Sequence, residues 1–198
     1  MRIFPEKYYH IYNRSNNREI VYRNPENYHF FLTKYRKYFE QYAEVIAYCL
    51  MPTHFHFLLY IKSVLPDKDS AELNRDPILD TMNKAKYQFG ILLSSYSKAM
   101  NKQRNRHGSL FQRHTKTIEV DDESYLLTLI GYIHQNPVRA KLVRQQEEWE
   151  FSSYRDYIGI RNGTLPNKDI LYSYFRSEEE YREYSKDLIE SVREKYWV

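Results

Sequence analysis

His54, Phe55 and His56 form a His-x-His triplet inside the run MPTHFHFLLYI. Side chains alternate along a strand, so both imidazoles fall on one face while Phe55 and Phe57 take the other. Two neutral imidazoles placed this way can grip one divalent cation. They can equally be a packed or a surface pair, and spacing alone leaves both readings open. Tyr132 and Asn136 are four residues apart in a segment with helical periodicity, and so share a helix face. A helix lying over the histidine strand would bring a phenol hydroxyl and an amide oxygen to the same ion. Taken singly, Tyr132 is one of 21 tyrosines, and Asn136 before Pro137 also suits a plain helix end.

The surrounding elements must position these groups. YYHIY, Tyr8–Tyr12, reads as a strand, and the polar stretch NRSNNRE follows it. Pro25 opens a helix whose aromatic residues recur at helical spacing from Tyr28 to Tyr42. Val45–Leu50 and His54–Ile61 are strands joined by a turn at Met51-Pro52-Thr53, which makes a hairpin. Residues 63–83 read as a loop, and Lys84–Gln103 as a long helix with Phe89, Leu92, Leu93, Tyr96 and Met100 on its apolar face. QRNRHGS leads into a strand over Thr115–Val120. Asp121 and Asp122 are suitable N-caps for a helix with Leu126, Leu129, Ile130 and Ile133 inward, which Pro137 should stop at Asn136. The order β-α-β-β-α-β-α predicts an α+β, ferredoxin-like split βαβ fold, with an antiparallel sheet and helices on one face. Residues 1–144 are expected to be the catalytic domain, and 145–198 a small, tyrosine-rich, acidic helical appendage.

Composition bounds the function. Of 198 residues, 42% are hydrophobic and 28% charged, which excludes wholesale disorder. No run reaches 18 apolar residues, the N-terminus lacks the apolar core of a signal peptide, and the single Cys49 excludes a disulfide framework. These point to a cytoplasmic protein with no membrane partner. The net charge of +4 conceals an uneven distribution: residues 84–118 hold eight basic residues and no acid, whereas 147–198 hold eight basic and twelve acidic. An acid-free window of that length suits a polyanion, or else a solvated face that the tail balances in space.

Four blocks carry a family resemblance. MPTHFHFLLYI resembles the hairpin and His-hydrophobic-His strand of HUH single-strand DNA transposases. SLFQRHTKTIEVDDESYLLTLIGYIHQNPVRAKLV is similar to the tyrosine-bearing block of their REP-associated tyrosine transposase subgroup. YHIYNRSNNR resembles that subgroup's first strand, and WEFSSYRDYIG its short C-terminal segment. The resemblance spans about residues 8–160, interrupted by the acidic loop.

The resemblance implies a metal-dependent enzyme that cleaves single-stranded DNA, at hairpin (REP-like) sequences, and rejoins it through a 5′-phosphotyrosine. Tyr132 would be the nucleophile, and His54 and His56 the ligands of Mg²⁺ or Mn²⁺. Asn136 would stand where the wider family has a glutamine as third ligand; His134, well round the helix from Tyr132, ranks below it. Contacts to single-stranded or hairpin DNA would come from Asn13, Arg14, Arg18, Lys98, Lys102, Arg104, Arg106, Arg113 and Lys116. The chain would act as a monomer or homodimer. The alternatives are a non-catalytic hairpin or single-strand binding protein on the same fold, and an HUH endonuclease of the replication-initiator type.

Overall fold

Alternation in YYHIYNR lets one strand serve two layers. In a computed structural model, which describes residues 1–63, 76–122 and 124–187, this strand is β1, Tyr8–Arg14. Its neighbours are β2 (Ala43–Met51), β3 (His54–Ile61) and β4 (Lys116–Val120), in one antiparallel sheet of order β2-β3-β1-β4. Tyr9 and Ile11 point to one face with Phe55, Phe57 and Leu59. There they meet helix α1, Pro25–Tyr38, and helix α2, Pro77–Arg104. This layer is aromatic: Tyr35 stacks on Phe57 at 5.0 Å, and Phe31 meets Tyr96 edge-on at 5.1 Å. Each such ring contributes roughly 2–3 kcal/mol on burial.

The helix starts follow local chemistry. Pro25 opens α1 behind Asn24, whose side chain accepts from the Asn27 amide at 3.1 Å. The long helix begins seven residues before the expected Lys84, because Asp76 caps it by accepting from the Ile78 amide at 2.8 Å, with Pro77 next in the chain. The Asp-Pro pair was the readable signal. The acidic loop expected over 63–83 therefore lies mostly outside the described residues, at 64–75. At its other end α2 stops where Asn105 adopts φ 47°, a left-handed conformation that asparagine tolerates.

The opposite face is covered by a third helix, α3, Ser124–Arg139. Leu126, Leu129, Ile130 and Ile133 bury there against Ala47, Cys49, Met51 and Leu58. Two helices thus cover one face of the sheet in the ferredoxin-like manner, and α3 occupies the other.

Residues 145–187, expected as an appendage, pack into this second layer. Three short helices, α4 (Tyr154–Tyr157), α5 (Asp169–Tyr172) and α6 (Glu178–Tyr184), send Tyr154, Tyr157, Leu171 and Tyr181 into its core. The same segment runs along the edge strand β2: Leu50 N donates to Phe151 O at 2.9 Å, Ser153 N to Tyr48 O at 3.0 Å and Asn167 N to Val45 O at 2.7 Å. An edge that would otherwise offer unpaired backbone groups is occupied. Acids of this segment pair within it, as in Asp156–Arg161, Glu178–Lys168 and Glu147–Arg182. Residues 188–198 lie outside the described residues. Among the described residues no helix is long and apolar enough to cross a membrane.

Candidate active site

Strand register assembles the site. Across the sheet, Cys49 pairs with His56, His56 with Tyr12, and Tyr12 with Lys116; one rung further, His54 pairs with Arg14. Period-two alternation puts His10, Tyr12, Arg14, His54 and His56 on the α3 side. Helix α3 crosses over them, and the Tyr132 ring meets His56 edge-on, with centroids 6.1 Å apart and planes at 89°. His54 and His56 are 5.1 Å apart, ring to ring. The three residues singled out for chemistry converge, with the exposed cations Arg14 and Lys116 at the same end of the sheet.

Burial sets the protonation of the imidazoles. His56 is fully buried, with its Nδ1 3.0 Å from Nε2 of His10 and its Nε2 buried without a hydrogen-bond partner. Desolvation holds His56 well below the usual histidine range, lowers His10 to about 3, and with help from Arg14 lowers His54 to about 4. Nδ1 of His54 sits 3.0 Å from the Thr53 hydroxyl. All three rings are therefore uncharged at neutral pH, the form that ligates metals. An orphaned ring nitrogen at the centre of the cluster fits a divalent ion. Among the described residues no third His, Cys, Asp or Glu completes a metal-binding group, so other ligands would be amide, water or phosphate oxygens.

Tyr132 is only 8% exposed, and burial pushes its hydroxyl above the ordinary value, opposed by the positive charge of Arg139. The Arg139 guanidinium lies 5.7 Å from the centre of the Tyr132 ring.

Pro137 does not stop the helix: α3 continues to Arg139 with the proline inside it. Proline has no N–H for the Ile133 carbonyl. The Asn136 side chain supplies a substitute, donating to Tyr132 O at 3.0 Å and Ile133 O at 3.4 Å. Asn136 thus spends its amide nitrogen on its own helix. His134 points elsewhere, bonded to the Tyr181 hydroxyl and the Ser153 hydroxyl at 2.7 Å each, and Gln135 donates to Asp187 O at 2.7 Å. Both are tethers for the C-terminal segment.

The expected DNA contacts divide. Asn13 is buried on the α1/α2 side of the sheet, away from the histidines, where its amide donates to Gln112 O at 3.1 Å and Thr115 Oγ1 at 3.0 Å. Arg104 is a clamp, donating to the carbonyls of Ile20 at 2.7 Å and Val21 at 2.5 Å. Arg106 pairs with Glu19 at 3.1 Å and donates to Asn101 Oδ1 at 2.7 Å. These three hold the loop between β1 and α1, or the turn before β4, in place. Arg14, Arg18, Lys98, Lys102, Arg113 and Lys116 are exposed. A groove between α2 and residues 108–115 is lined by Lys86, Lys98, Asn101, Arg113 and His114, with no carboxylate among the described residues along it. One wall is tied to the end of β1, where Gln112 N donates to Arg14 O at 2.9 Å.

His10, Thr53 and Arg139 escaped the sequence reading. His10 was visible as the alternation partner of Tyr12, but its neighbour strand is not local. Arg139 lies two helical turns beyond Tyr132, past a proline expected to end the helix.

No protein-family model matches the chain, and no curated protein does. Among solved structures, the chain is similar to a REP-associated tyrosine transposase bound to a REP hairpin. The TM-score is 0.51 at 16% identity, covering 84% of this chain and 94% of that one. The two share a fold.

Proposed function

We propose that the protein is a metal-dependent enzyme that cleaves and rejoins single-stranded DNA at hairpin-bearing sites, with Tyr132 as nucleophile. The observation that carries this reading is the convergence of His54, His56 and Tyr132 on one sheet face. The fold shared with a transposase that binds a REP hairpin supports it. In the reaction the Tyr132 oxygen attacks a backbone phosphorus, a tyrosine–phosphate ester forms, the P–O3′ bond breaks, and a 3′-hydroxyl leaves. The phenol proton passes to water. The new ester conserves the energy of the old one, so a 3′-hydroxyl can reverse the step without a nucleotide cofactor.

Ionising a phenol at pH 7 costs about 4 kcal/mol from its ordinary pKa, and burial of Tyr132 adds to that. Arg139, beside the ring, favours the anion. Arg14 and Lys116 are placed to hold the phosphates flanking the reacting one, and the groove along α2 to hold a neighbouring stretch of backbone. Mg²⁺ or Mn²⁺, held by His54 and His56, would withdraw charge from the scissile phosphate.

The test uses a hairpin oligonucleotide with single-stranded tails and Mn²⁺. A covalent protein–DNA adduct is expected on a denaturing gel, dependent on the metal and lost in Tyr132→Phe. An adduct formed undiminished by Tyr132→Phe would remove this residue as nucleophile. A second reading, hairpin binding without chemistry, is favoured by the lack of a third His, Cys, Asp or Glu ligand among the described residues; it predicts retention of the oligonucleotide with no adduct under any metal.

A further inference from the structure

We propose that His10 is a positioning residue: by accepting a hydrogen bond from Nδ1 of His56, it fixes His56 in the tautomer whose Nε2 can bind a divalent ion. The proposal rests on the reading of His54 and His56 as metal ligands.

The geometry is specific. His10 and His56 sit on adjacent strands but are not direct register partners, since His10 pairs with Leu58 and His56 with Tyr12. Their rings reach along the diagonal, within range of cross-strand neighbours two residues offset. They lie nearly parallel at 10°, with centroids 5.2 Å apart and the facing nitrogens at 3.0 Å. Both are fully buried.

A neutral imidazole has one N–H and one lone pair, so one ring must donate along this contact and the other accept. If His56 donates from Nδ1, its Nε2 presents a lone pair. That nitrogen is buried with no hydrogen-bond partner. If His10 donates, the proton sits on Nε2 of His56, which then cannot ligate a cation; in the other arrangement it sits on Nδ1 of His10, which is also buried, so the two tautomers differ in whether His56 can take a cation. His54 follows the same pattern, with Nδ1 engaged by the Thr53 hydroxyl at 3.0 Å. Both rings are thus contacted at Nδ1, which leaves Nε2 as the nitrogen not engaged by these partners. Ligating histidines are commonly oriented by a partner on their second nitrogen, and removal of that partner costs about 10–100-fold in metal affinity.

The experiment has two arms. In metal-free wild-type protein labelled with ¹⁵N-histidine, long-range ¹⁵N–¹H correlation should give His56 a protonated Nδ1 and an unprotonated Nε2. A protonated Nε2 overturns the proposal. In the second arm, Co²⁺ is titrated and followed by its visible absorption. His10→Phe, which keeps an aromatic ring but no acceptor, should weaken Co²⁺ binding about 10–100-fold with circular dichroism unchanged. His10→Gln, whose amide oxygen can accept the same proton, should recover most of it. Equal affinity in folded His10→Phe and wild type overturns the proposal. If wild type itself takes up no Co²⁺, the ligand reading of His54 and His56 fails, while the tautomer arm still decides what His10 does.

Discussion

His56 and His134 are both fully buried imidazoles at the α3 layer, yet they are finished differently. His134 has both nitrogens occupied, by Tyr181 and Ser153 at 2.7 Å each, and it ties the C-terminal segment to α3. His56 has one nitrogen occupied and the other buried with nothing on it. A folded chain rarely leaves a buried polar atom unmet unless something else meets it. Tyr22 and Tyr35 also carry buried hydroxyls with no partner, so it is the place of His56 beside His54 and Tyr132 that sets it apart from His134.

Acid should expose the cost of keeping such rings neutral. His10 and His134 are lowered to about 3 and His56 is held well below its usual range, while in the unfolded chain each titrates near its usual value. The unfolded state then binds more protons below about pH 6.5, and stability present above that pH is lost as pH falls. For three buried histidines the loss between pH 7 and pH 5 is about 5 kcal/mol in metal-free protein. Denaturant midpoints with EDTA would check this; a flat profile would mean that the rings are hydrated in solution.

The next largest effect separates the two histidines. His134→Leu leaves the Tyr181 hydroxyl buried without its partner and should cost about 2–4 kcal/mol, measured by urea unfolding. Metal uptake by that variant should be unchanged. A loss of metal binding in folded His134→Leu would erase the distinction between the two sites.

The same contrast runs through the basic window. Arg104→Ala removes a clamp on two backbone carbonyls and should cost about 2 kcal/mol of stability. Lys98→Ala with Lys102→Ala should leave stability within about 0.5 kcal/mol. In single-strand DNA binding, however, the double variant should lower the slope of log affinity against log salt by about 1.4. An unchanged slope would take those lysines out of the interface.

What the sequence made legible was local. The hairpin and the His-x-His face follow from period two, the α2 core stripe from period 3.6, and α1 from its proline start. What it hid was non-local or substitutive. Asn13 reads as a polar loop residue, but its strand extends to Arg14 and alternation turns it inward. Arg104 sits in an acid-free run, yet it serves the carbonyls of Ile20 and Val21, more than eighty positions away in the chain. Residues 145–187 read as an appendage because their acids and tyrosines look like surface. Yet Tyr154, Tyr157 and Tyr181 fill the core, and Glu147, Asp156 and Glu178 find bases within the same segment. His10 needed the strand order before its partner could be named.

The splice at Asn136 and Pro137 has a mechanical consequence. Because the asparagine amide stands in for the missing proline N–H, the helix runs on past Pro137 to Arg139. The Arg139 guanidinium and the Tyr132 phenol are therefore mounted on one rod. Any tilt or slide of α3 that moves the phenol carries the guanidinium along, so the charge beside the ring travels with it.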